Sequence, residues 1–139
     1  MTDEQSAWVD RPGRLISSPK ITSLAANEVF VFGSNGAGHH GGGAASFALE
    51  HFGAVWGEGH GLHGQSYAID TMSGRQVMLG EIQAFLAFAV VHPELTFLVT
   101  EIGCGIAGYR PEDVAPAFAG ATGNVALPVS FAELLQDAL

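Results

Sequence analysis

The residues best suited to chemistry fall in two glycine-rich stretches. The first reads Gly33-Ser34-Asn35-Gly36-Ala37-Gly38-His39-His40-Gly41-Gly42-Gly43, and the second reads Ile102-Gly103-Cys104-Gly105-Ile106-Ala107-Gly108-Tyr109. Runs of glycine let backbone N–H groups turn inward and approach an anion closely, and a helix opening just after such a run adds its positive end. Phosphate can be held in this way without a lysine. His39 and His40 lie inside the first stretch, where a neutral imidazole near a ribose can give or take a proton at physiological pH. With Asn35 they form the candidate catalytic group. Neither stretch has the GK[ST] ending of a P-loop, and the histidines and glycine triplet after Gly38 break the dinucleotide-binding pattern.

Other reactive side chains are scattered. Cys104 is flanked by glycines at a strand end, a place for a nucleophilic thiolate, although small buried cysteines are commoner. Asp70 and Glu101 fall at strand ends on the same side, free to orient a water or bind a ribose hydroxyl, or else to cap a helix. His60 and His63 would need His39 or His40 to complete a zinc site; that spacing is not diagnostic, so neither a metal nor another cofactor is expected. His51 and His92 read as helix-face and helix-end residues, and Phe52 and Trp56 as packing residues.

These residues need a scaffold that brings them to one edge. Val29 to Phe32 and Leu95 to Val99 are unbroken apolar runs, the mark of strands covered on both faces, and each leads into one of the glycine stretches. Ser66 to Ile69 and Asn124 to Leu127 read as further strands. Helical patterns cover Gly43 to Phe52, Gln76 to Val91 and Pro111 to Phe118, the last with Pro111 suited to a first turn. A final helix to Leu139 is expected to open on a capping box of Ser130 and Glu133. The stretch from Gly53 to Gly64 holds glycines at 53, 57, 59, 61 and 64 and reads as a long loop. Residues 1–20 read as a tail with one short edge strand at Arg14 to Ser17, ahead of a single domain over 21–139. Strands alternating with helices predict an α/β chain, a three-layer α/β/α sandwich on a mixed, largely parallel sheet.

Composition narrows the partners. The chain has 139 residues, a common size for one domain, and 14 Asp and Glu against 5 Lys and Arg leave a formal charge of −9. That field repels polyanions and provides no extended nucleic-acid surface. A single cysteine excludes an internal disulfide. No apolar stretch approaches the roughly 20 residues of a membrane helix, and Met1 to Asp10 lacks a signal-peptide pattern, so a cytoplasmic protein with no membrane partner is expected. The oligomeric state stays open.

The stretches FGSNGAGHHGGGAASFA and TEIGCGIAGY together resemble the asparagine-and-triple-glycine loop and the second phosphate loop of macro domains, the ADP-ribose-binding fold, in a short, divergent, bacterial or phage-like form. The resemblance spans most of the chain from Ile21 onward. It implies a macro domain-like sandwich whose partner is ADP-ribose or an ADP-ribosylated macromolecule. Asn35 then contacts the distal ribose, with Gly33, Ser34, Gly41, Gly42 and Gly43 around it. Gly103, Cys104, Gly105, Ile106, Ala107 and Gly108 hold the diphosphate, and Tyr109 covers the distal ribose. The family's adenine-reading aspartate has no counterpart, because the comparable segment is Pro19-Lys20-Ile21-Thr22. Two activities follow as expectations: hydrolysis of an ADP-ribosyl linkage with Asn35, His39 and His40 as catalytic residues, or non-catalytic binding of ADP-ribose or a related signalling nucleotide. A purely structural domain is the third possibility.

Overall fold

The computed structural model describes residues 6–137. Its central sheet has five strands, β3 (Glu28–Ser34), β4 (Gly61–His63), β5 (Ser66–Asp70), β6 (Thr96–Val99) and β7 (Val125–Ala126), in the order β4-β5-β3-β6-β7. All neighbours are parallel except β4, which runs antiparallel to β5 at one edge. The most apolar strands, β3 and β6, are therefore neighbours in the interior, as unbroken apolar runs require.

Alternate residues of each strand face opposite layers. Phe30 and Phe32 point to the single helix of one layer, α1 (Gly43–His51), and pack with Ala45, Ala48 and Phe52. Val29 and Val31 face the other layer, where α2 (Arg75–Val90) contributes Met78, Ile82, Phe85, Leu86 and Ala89 from one helical stripe. The same layer holds α3 (Pro111–Val114), a 3₁₀ turn at Ala115–Phe118, and α4 (Val129–Asp137). The protein is thus a three-layer α/β/α sandwich.

Three local features differ from the sequence reading. The single helix expected over 111–118 gives way to a 3₁₀ turn after Val114, where Pro116 has no N–H to donate and its ring crowds the preceding turn. The capping box expected of Ser130 and Glu133 does not form: Ser130 lies inside α4 and donates its hydroxyl to Glu101 Oε2. Residues 8–17, read as a tail with one strand, form a hairpin of β1 (Trp8–Arg11) and β2 (Arg14–Ser17). β2 carries the sheet past β7 through a parallel bridge between Ile16 and Leu127. Arg14 locks this corner by donating to the carbonyls of Ala121, Thr122 and Val125 at 3.0–3.1 Å. Because α1 alone does not cover its face of the sheet, Ile21 and Leu24 from the segment after β2 pack on Leu98 and Ala126 beside it.

Candidate functional site

Both glycine stretches leave the carboxyl edge of the sheet from the adjacent strands β3 and β6, the edge where parallel α/β sheets bind ligands. They touch at their roots: a Cβ on Gly33 would lie 3.5 Å from the Gly103 nitrogen. Gly103, at φ +77°, is fixed as glycine because a side chain there would strain the backbone and press on Met78, Tyr109 and Val114. Tyr109 N–H donates to Gly103 O at 2.8 Å and folds the second loop back on its stem. At its tip the N–H groups of Gly105, Ile106 and Ala107 donate to nothing among the described residues, and the Ile106 side chain is 94 % exposed.

The first loop turns away from this tip and interlocks with the long glycine loop. Asn35 Oδ1 accepts from His39 N–H at 3.0 Å while its Nδ2 donates to His39 O at 3.1 Å, so the side chain is spent on closing its own loop. His40 is buried; its Nε2 lies 3.0 Å from Val55 O and 3.1 Å from Glu58 O, and its Nδ1 faces Ser34 Oγ. Two carbonyl acceptors on Nε2 place the proton there, leaving Nδ1 to accept from Ser34. Gly57 N–H donates to Gly38 O, and a Cβ on Gly38 or Gly59 would overlap the facing backbone. His39 is exposed and stacks on Trp56, ring centroids 5.0 Å apart. The expectation that His40 meets a ligand is corrected by its burial and full set of partners: it clamps residues 53–60 onto the first loop.

The cavity at this edge opens beside α1. It measures about 720 Å³ and runs between the first turn of α1, the segment after β2, the ends of β3 and β6, and the start of α4. Gly43 and Ala44 line it, and α1 has no side-chain cap at Gly42, so first-turn N–H groups are left for solvent or a ligand. Phe30, Phe47, Ile21 and Val99 supply apolar wall, and Ser17, whose Oγ donates to Val99 O at 2.7 Å, draws β2 against the end of β6. Glu101 is the one carboxylate on the wall among the described residues; Ser130 holds Oε2, and Oε1 has no partner there. A second hollow of about 670 Å³ lies by Trp8, but its charged wall residues are Asp10 and Glu28, a poor setting for phosphate.

Of the residues expected to bind ligand, only Gly43 lines the cavity. Gly33, Ser34, Asn35, Gly41, Gly42 and the whole of Gly103 to Tyr109 do not, nor do the expected catalytic residues Asn35, His39 and His40. Asp70 is buried and holds the turn after β5, with Oδ1 accepting from Met72 N–H and Oδ2 from the Ser73 hydroxyl. His60 Nδ1 pairs with Glu81 at 2.9 Å, and His63 Nε2 meets His60 O. Among the described residues no three His, Cys, Asp or Glu side chains gather as a metal-holding group. Burial and then the nearby charges of Glu101, Asp113 and Glu112 push the Cys104 thiol above its ordinary pKa, which argues against a nucleophilic thiolate. No helix among the described residues is long and apolar enough to cross a membrane.

The sequence reading passed over Arg11, Ser17, Ile21, Phe30 and Phe47 as wall residues. Their sequence signal was weak: Ile21 and Phe47 read as ordinary core positions, and the wall exists only because the hairpin joins the sheet. No protein-family model, curated protein or solved structure matches the chain.

Proposed function

We propose that the chain binds an ADP-ribosyl nucleotide in the cavity beside α1, with the diphosphate at the N–H groups of Gly43 and Ala44 and the adenosine against Ile21, Phe30 and Phe47. One observation carries this reading: an uncapped helix start opens into an apolar-walled cavity of about 720 Å³. Ligand pockets commonly span ~300–1,000 Å³ and combine apolar walls with a few convergent polar groups. In a chain of charge −9 the helix start offers anion affinity without a basic stripe. A mixed sheet with glycine loops at its carboxyl edge agrees with the macro-domain resemblance of the two motifs, and the free N–H groups of Gly105 to Ala107 stand ready to close on the ligand. Without an aspartate for the adenine amino group, the base is held by apolar contact.

Calorimetric titration with ADP-ribose tests this, using Ala44→Glu as the control. A carboxylate in the first turn favours the α1 dipole and leaves the fold intact, yet it repels phosphate where phosphate would bind. Wild type is expected to bind and Ala44→Glu to lose at least about tenfold in affinity with unchanged melting temperature, since a tenfold loss is only ~1.4 kcal/mol. Equal binding by both refutes the site.

Glu101 favours hydrolysis as a second reading. With Oε2 fixed by Ser130, the free oxygen would take a proton from a water attacking the anomeric carbon, while the bond to the leaving group breaks. Release of ADP-ribose from an ADP-ribosylated protein that vanishes in Glu101→Gln supports turnover; binding without release leaves a recognition module.

A further inference from the structure

The same cavity has a second end. From the first turn of α1 it continues past Ser17 to Lys20 and, on the far side of β2, to Val9 and Arg11 of the β1 strand. This chain has only five Lys and Arg residues. Arg14 is committed to three backbone carbonyls, Arg110 pairs with Glu112 at 3.0 Å, and Arg75 opens α2 elsewhere. The remaining two, Arg11 and Lys20, both line the cavity, and neither pairs with a carboxylate among the described residues. In a protein with 14 acidic residues, two unpaired cations on one wall are not accounted for by surface ion pairing.

Charge is therefore distributed along the cavity in a definite order: helix N–H groups at one end, apolar wall in the middle, cations at the other. Glu101, the carboxylate of the wall, follows directly on Val99 and Thr100 and is held by Ser130 near the helix end of this path. An unmodified ADP-ribose places its anionic diphosphate at only one of the two positive ends. Resting on the nucleotide reading above, we propose that the preferred ligand carries an additional phosphate monoester on its adenosine ribose, and that Arg11 and Lys20 bind it. The guanidinium of Arg11 can engage two phosphate oxygens at once, while the ammonium of Lys20 adds a mobile point charge.

The experiment compares ADP-ribose with ADP-ribose 2′-phosphate by calorimetry, on wild type, Arg11→Ala, Lys20→Ala and the double variant. Both side chains are exposed, so their truncation leaves the core untouched. Wild type is expected to bind the 2′-phosphate at least about tenfold more tightly, with that preference weakening as salt is raised. The double variant is expected to lose the preference while its affinity for plain ADP-ribose changes less than threefold. Equal affinity of wild type for the two ligands overturns this inference and leaves the nucleotide reading standing, as does a preference that survives in the double variant. Failure of both ligands to bind wild type at millimolar concentration overturns the nucleotide reading and this inference together.

Discussion

Replacing His40 by Ala separates a structural histidine from a catalytic one. The ring is 1 % exposed and packs edge-on against Phe32, with centroids 5.3 Å apart and planes at 81°. Its loss removes a group shared between Val55 O and Glu58 O and leaves Ser34 Oγ without its ring partner. Losing one buried hydrogen-bonding group of this kind costs ~1–2 kcal/mol, with part of the penalty relieved because Val55 and Glu58 are exposed residues whose carbonyls can rehydrate. Large-to-small replacement at a fully buried site adds ~2 kcal/mol or more for lost contacts and the void. Together these give a destabilisation of about 3–4 kcal/mol, a large share of the ~5–15 kcal/mol that holds a domain folded. Equilibrium urea unfolding measures it, with His39→Ala alongside. His39 only stacks on Trp56 at the surface, so its loss is expected to cost under ~1 kcal/mol. A His40→Ala protein within ~1 kcal/mol of wild type would refute the clamp.

Two further outcomes follow from the same geometry. Cys104 is held as a thiol by burial and by Glu101, Asp113 and Glu112, so it should react with iodoacetamide more slowly at pH 8 than an unhindered thiol, and Glu101→Gln should speed the reaction. Because its folded pKa is raised, the corresponding stability is present below the unfolded-state pKa of about 8.5 and is lost as pH rises through the folded value; Cys104→Ser should flatten that alkaline decline in melting temperature. Asn124 Nδ2 faces the carbonyls of Ala89, His92 and Leu95, each at 3.1 Å, so Asn124→Asp sets an anion against three acceptors. It should destabilise by ~2–4 kcal/mol near neutral pH and recover in part at acid pH, read from urea midpoints.

What the sequence revealed, and what it hid, divides along the range of the interactions. β3, β6 and α2 are legible because their signals are local: continuous apolar runs and a stripe from Met78 to Ala89 that repeats with the helical period. The glycine stretches are equally legible as loops at strand ends, and their meeting at Gly33 and Gly103 follows from β3 and β6 being parallel neighbours. The failures arise where a residue's role depends on a distant partner. Asn35 and His40 have the chemistry of site residues, but residues 53–60 recruit the loop into packing, and glycines such as Gly59 serve that close approach. Ser130 looks like a cap and instead reaches Glu101, 29 positions away. The cavity wall joins residues from opposite ends of the chain, Arg11 with Val129, through a hairpin whose attachment is one bridge at Ile16.

The most direct test of the nucleotide site is an amide NMR titration of isotope-labelled protein with ADP-ribose. The account predicts saturable shifts at Gly43, Ala44, Ile21 and Glu101, the residues that share the cavity wall. No shifts at millimolar ligand, or shifts confined to Asn35 to Gly41 and the Trp56 loop, would contradict it.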